Sequence, residues 1–254
     1  MGRRTRSDES GVKFLQPQEF EDEAAMLLAE YAREHGLVTA PPVPIDMIAV
    51  AYCKLALEYG DLAAKYPEGG VDGEIWFRTR RIVVEQRLAP EVNPSMLGRF
   101  RFTVAHELAH WRLHRHAFLR WANERPLFAV SAEVDRPDHV LRSRQLDQRE
   151  YQANRLGACI LMPREMVKRA WHEMRGSMEP ICLRDLREGQ HESSAAADRR
   201  LIESPPREDA NDNVLLDGVA RQLARPFEVS PEAMRIRLET LGLLHRAKDS
   251  SLFR

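Results

Sequence analysis

A chain of 254 residues can bury a core without disulfide staples, which leaves room for one large domain with a smaller helical appendix. Its 38 Lys and Arg against 39 Asp and Glu exclude a global electrostatic pull towards nucleic acid or a membrane surface, so either partner would need a local patch. Cys53, Cys159 and Cys182 make no CxxC or Cys/His zinc spacing, and no stretch approaches the roughly eighteen apolar residues of a membrane span, so reduced thiols and a cytoplasmic address are expected.

The opening "MGRRTRSDESGVKF" has arginines but no apolar run behind them, which is not a secretory or twin-arginine signal; residues 1–16 read as a polar, disordered tail. From Gln18 to about His35, Phe20, Ala24, Leu27, Leu28 and Tyr31 recur at helical spacing, and Gly36 stands where a helix would end. "PPVP" interrupts the chain, and "IDMIAVAYCKLAL" resumes a helical period before the turn-rich "YPEGGVDG". "GEIWF" and "RIVVE" are short β-rich runs with a polar turn between them, predicting a hairpin over 72–86. Its exposed edge would suit an extended peptide paired through main-chain hydrogen bonds.

Asn93 and Pro94 look like the cap and first residue of a long helix carrying Met96, Leu97, Phe100, Val104, Leu108 and Trp111. Residues 117–147 mix charge and proline and read as an irregular excursion, with a strand at "LFAVSAEV". "REYQANRLGACILM" is a periodic helix stopped by Pro163, and "REMVKRAWHEM" a further one. Residues 175–212 read as a polar linker or loop, and the chain closes with the helical runs "VLLDGVARQLARPF" and, after the cap Ser230-Pro231, "EAMRIRLETLGLL". The expected organisation is thus a tail at 1–16, a principal domain at 17–174, a linker at 175–212 and a C-terminal helical subdomain at 213–254. In the last, Arg221, Arg225, Arg235 and Arg237 are interspersed with Asp217, Glu232 and Glu239, which makes a mixed solvated face rather than a surface for DNA.

The chemistry concentrates in "TVAHELAHWRLHRH", residues 103–116. His106, Glu107 and His110 form H-E-x-x-H, and on a helix residues four apart leave the same face, so both imidazoles can converge on one zinc ion. Glu107 then sits beside the first ligand, where a carboxylate can deprotonate a water instead of ligating. A catalytic zinc needs a third protein ligand and a free position. His114 does not serve, because residues eight apart on one helix have backbones about 12 Å apart while each Zn–N bond is about 2 Å. Glu150 is the better candidate: it opens the later helix, and Asn154 lies one turn on, able to orient a ligand. As an ordinary residue Glu150 would be a helix-N-terminal carboxylate favoured by the macrodipole. His114 and His116 stay outside the site; Tyr151, His139 and His172 are open candidates for the donor that stabilises an oxyanion.

"RFTVAHELAHWRLH" followed by "REYQANRLGACILMP", with the hairpin before them and "FEVSPEAMRIRLETLGLL" after, resembles the ImmA/IrrE family of zinc metallo-endopeptidases over roughly residues 40–245. The resemblance implies His106, His110 and Glu150 as ligands of one zinc ion and Glu107 as general base. It also implies a protein partner: a helix-turn-helix repressor, cut to release stress or mobile-element genes. No stretch looks like an appended sensor domain. The expected fold is α+β and mostly helical, a small antiparallel sheet packed on a zincin-like active-site helix, with a C-terminal helical subdomain. The alternative is a non-cleaving, zinc-containing regulator that binds a repressor or DNA, against which Glu107 argues, since a structural zinc site has no use for a base.

Overall fold

A computed structural model describes residues 14–123, 139–142, 148–187 and 208–246; the expected tail at 1–13 and the expected strand at 127–134 lie outside them. The chain divides into two units, Met1–Pro163 and Arg164–Arg254.

In the first unit, α1 (Pro17–His35) starts where Pro17 needs no N–H partner and Gln16 N–H donates to Glu19 Oε2 at 2.7 Å, and it stops at Gly36, whose φ of 90° few side chains tolerate. Phe20, Ala24, Leu27 and Tyr31 form its buried stripe. The short α2 (Ile45–Met47) runs on as a π-type turn over Ile48–Tyr52. The helical period expected to continue to Leu57 ends there, because Lys54 adopts φ 55° and the chain leaves the helix. From Leu55 the period becomes two: Leu55 and Leu57 are turned inward, Ala56 and Glu58 outward, in β1 (Ala56–Gly60).

After α3 (Leu62–Lys65) the expected hairpin forms, as β2 (Val71–Trp76) and β3 (Arg81–Glu85), with Gly73 opposite Val84 and Ile75 opposite Ile82. The sheet around it is mixed, not antiparallel throughout. β1 lies parallel to β3, which needs a crossover, here supplied by α3 and β2. With β4 (His139–Arg142) antiparallel to β2, the order is β1-β3-β2-β4. Both hairpin strands are therefore flanked, and the exposed hairpin edge expected from the sequence is covered by β1 on one side and β4 on the other.

A 3-10 turn at Pro94–Met96 leads into α4 (Leu97–Leu113). Phe100, Val104, Leu108 and Trp111 are buried as their spacing predicts, but so are Thr103, His106, Glu107 and His110. A helix buried on every side belongs in the middle of a domain: α4 packs on β2 and β3 and on α6, below. The segment expected to be irregular from 117 instead begins in α5 (Arg115–Asn123), where the Phe118 ring lies 5.1 Å from Phe77, itself 6.3 Å from Trp111. α6 (Gln148–Leu161) ends before Pro163, as expected. Arg112 ties α4 to α1, donating from Nε to Glu23 Oε1 at 2.7 Å and from Nη1 to Glu30 Oε2 at 2.8 Å; Tyr52 Oη donates to the same Glu30 oxygen at 2.9 Å.

The second unit holds α7 (Arg164–Arg175), β5 (Ile181–Cys182), α8 (Glu208–Phe227), α9 (Pro231–Thr240) and β6 (Leu244–His245). Ser230 caps α9 as predicted, accepting from Ala233 N–H at 3.1 Å. The stretch read as a linker contributes β5, paired parallel to β6 through Ile181 and Leu244. Arg235 of α9 is paired within the unit, donating to Asp217 at 2.7 Å and to Glu239 at 3.2 Å. The fold is α+β and mostly helical. Among the described residues no helix is long and apolar enough to cross a membrane.

Candidate metal centre

Four-residue spacing on α4 brings His106 and His110 together, with ring centroids 4.6 Å and Nε2 atoms 2.9 Å apart. Glu150, in the first turn of α6, comes across to them: Oε2 is 3.3 Å from His106 Nε2 and Oε1 is 3.2 Å from His110 Nε2. All three residues are buried, and their ligand atoms lie within 4.8 Å of one another. Donors around one tetrahedral ion with bonds of about 2 Å stand about 3.3 Å apart, so the cluster could hold a metal ion.

The approach of the two helices depends on Gly157. Glu150, Asn154 and Gly157 recur at i, i+4 and i+7, on one face of α6. A Cβ at Gly157 would stand 3.3 Å from Ala105 C and His106 N, backbone atoms of α4 that have nowhere to go.

The second nitrogen of each histidine is also engaged. His106 Nδ1 lies 3.0 Å from Asn154 Oδ1, which can only accept, so the N–H is on Nδ1, and in the neutral ring Nε2 then offers its lone pair to the cluster. His110 Nδ1 lies 2.9 Å from His114 Nδ1, and His114 Nε2 lies 3.0 Å from Gln152 Oε1. His114 is therefore not in the ligand cluster; it stands behind a member of it. A lone-pair nitrogen facing a second nitrogen and a carboxylate in a buried space is a donor set that calls for a cation between them, and imidazole and carboxylate together suit a divalent ion such as zinc.

Glu107 is fully buried, and neither of its carboxylate oxygens has a hydrogen-bond partner. Its carboxyl titrates well above the ordinary carboxylate range, first because burial penalises the charge, then because the negative charges of Glu150 and Glu74 lie near. β2 approaches it closely at Gly73, where a Cβ would stand 2.6 Å from Thr103 Cγ2 and 2.9 Å from Glu107 Oε1. That glycine, which opens the β-rich run "GEIWF", lies inside a strand and makes room for the Glu107 side chain.

The four predicted residues thus meet in the first unit: His106, His110 and Glu150 around one point, with Glu107 beside them. Tyr151 does not join them, being half exposed with its ring set edge-on to Phe20 at 6.4 Å. His116 is exposed and accepts from Arg115 Nε at 3.2 Å. His172 lies in the second unit, and the side chain of His139 is outside the described residues. Sequence reasoning missed Gly73, Gly157 and Gln152. A glycine within a β-rich run is a readable sign of close approach, and Gly157 falls two turns after Glu150, whereas a single glutamine carries no signal.

None of the curated proteins compared with the chain matches it. The family model Peptidase_M78, described as the IrrE N-terminal-like domain, matches residues 48–239, a span that takes in the four-stranded sheet, α4 with its His-Glu pair, and α6 with Glu150. Three-quarters of the chain is covered, and the buried His106, His110 and Glu150 cluster lies inside the match, so the chain belongs to this family of peptidases.

Proposed function

We propose that the protein is a zinc-dependent endopeptidase in which His106, His110 and Glu150 hold the ion and Glu107 is the general base. The observation that carries the reading is Glu107 itself, buried next to the donor cluster with both oxygens lacking a hydrogen-bond partner. Such a carboxylate opposes folding and has no use in a structural metal site; a reacting water and a leaving amine are the partners that would satisfy it. When bound, zinc supplies Lewis-acid chemistry, making a water acidic near neutral pH and polarising a carbonyl.

Glu107 takes the proton of the attacking water on a carboxylate oxygen. Burial and the charges of Glu150 and Glu74 favour the protonated form, so the proton stays until the amide C–N bond breaks and is then passed to the departing amine nitrogen. Asn154 holds the His106 ring in the ligating tautomer meanwhile. As substrate we propose a helix-turn-helix repressor, following the resemblance in the two helical motifs. A cytoplasmic address accords with three cysteines that are all free thiols.

Metal content and cleavage of a candidate repressor, read by mass spectrometry, test the assignment together. Glu107→Gln is expected to keep one equivalent of metal and lose about 10²- to 10⁴-fold in hydrolysis. Glu150→Ala is expected to lose the metal as well. Stoichiometric metal in Glu150→Ala would remove the third ligand from the proposal. A repressor left whole in a stable complex with metal-loaded protein would replace the peptidase by a binding regulator.

A further inference from the structure

We propose that Gln152 and His114 form a positioning relay that decides whether His110 can ligate a cation. The inference rests on the metal-centre reading above and adds to it a residue pair that touches neither ion nor substrate. Nδ1 of His110 and Nδ1 of His114 face each other at 2.9 Å. Two bare nitrogens at that distance repel unless a cation stands between them, as the Nε2 atoms of His106 and His110 allow; the Nδ1 pair lies outside the ligand cluster, so one of its nitrogens carries a hydrogen, and a neutral imidazole has only one N–H to place.

Two arrangements satisfy the whole chain. In one, the Gln152 carbonyl oxygen accepts from His114 Nε2–H; His114 Nδ1 is then bare and accepts from His110 Nδ1–H, and His110 Nε2 is left with a lone pair pointing at His106 and Glu150. In the other, the Gln152 amide nitrogen donates to a bare His114 Nε2; His114 Nδ1–H donates to His110 Nδ1, and His110 Nε2 carries the hydrogen, which makes it useless as a ligand. The structure has the Gln152 oxygen 3.0 Å from His114 Nε2, the first arrangement. The orientation of one side-chain amide therefore propagates through a ring to the metal-facing atom of the next.

Burial enforces the choice. Gln152 is 1% and His114 6% exposed, so water does not readily rescue a wrong tautomer. The relay is also built from the same two helices as the ligands: His114 lies one turn beyond His110 at the end of α4, and Gln152 lies between Glu150 and Asn154 on α6. α6 thus supplies one ligand and orients both others, His106 through Asn154 and His110 through Gln152 and His114.

Histidine-selective ¹⁵N NMR of the metal-free protein, with zinc affinity measured by competition against a chelating dye, tests the relay. The wild-type spectrum should show opposite tautomers, the hydrogen on Nδ1 in His110 and on Nε2 in His114. Gln152→Leu should lose this pattern and about 10- to 100-fold in zinc affinity. Gln152→Glu, which only accepts when ionised, should restore both in its carboxylate form. A packing role would be met by leucine as well as by glutamate. Wild-type tautomers and affinity in Gln152→Leu would overturn the relay, as would the reverse tautomers in the wild type, a result that stands even if Gln152→Leu fails to fold. If the tautomers depend on Gln152 as expected while the wild type takes up no zinc, the relay is supported and it is the zinc peptidase reading that falls.

Discussion

At the scale of the residue, Glu107 sets a conflict between stability and chemistry. A folded-state pKa raised above the unfolded value near 4.5 means that the native protein binds the proton more tightly than the unfolded chain. The associated stability is complete below that value and is lost as pH rises through the folded pKa. Metal-free wild type should therefore become less stable as pH rises from 4.5, and Glu107→Gln should flatten that decline. Near neutral pH the variant should be more stable than wild type in urea melts of metal-free protein, because its amide carries no charge for burial to penalise. A variant no more stable than wild type would show that Glu107 has a partner in solution. The motif residues were legible because helical spacing fixes which side chains share a face, so two histidines and an acid declare their geometry in five letters. Glu150 was legible only in combination with that motif. Gln152 was not, because its role depends on which atom of a neighbouring helix it meets.

At the scale of the element, the pairing of α4 with α6 is governed by a hydrogen atom where other residues carry a methyl. Gly157→Ala should gain about 1 kcal/mol of helix propensity and lose about 1–3 to overpacking against rigid backbone, a net destabilisation of up to about 2 kcal/mol. It should also weaken zinc binding by moving Glu150 away from the histidines. Gly218 on α8 is the control, since a Cβ there meets nothing within 4 Å, and Gly218→Ala should be neutral or stabilising by up to about 1 kcal/mol. Denaturant titrations of the two variants, with chelator competition for Gly157→Ala, check both. α1, α6 and α9 were readable because each carries an apolar stripe and a terminus signal, and α4 by its stripe alone, since Asn93 and Pro94 open a 3-10 turn and the α-helix begins at Leu97. β1 was not: "AVAYCKLAL" fits a period of 3.6 as well as one of two, and the reversal at Lys54 is a left-handed backbone that lysine does not advertise. The mixed sheet followed from the same gap, because a strand hidden inside an apparent helix cannot be paired in advance.

At the scale of the whole molecule, the three proposed ligands belong to one unit, Met1–Pro163. Zinc should accordingly stabilise that unit, by about 2.7 kcal/mol at a free concentration one hundred times Kd, and a chelator should reverse the gain. Calorimetry with and without metal reads this as a shift in one transition. A melting profile untouched by stoichiometric zinc would place the ion outside the folded core.

The proposed ligands also come from two helices, and an ion held between them would act as a removable staple across the chain joining His110 to Glu150. The entropy gained from closing such a loop varies only slowly with its length, by about 0.6 kcal/mol for each doubling. A longer connection between α4 and α6 would therefore cost the centre little closure entropy, provided α5 still packs on Phe77 and β4 still pairs with β2. Even a break in that connection would leave its two sides clasped by the ion and by the packing of α4 on α6.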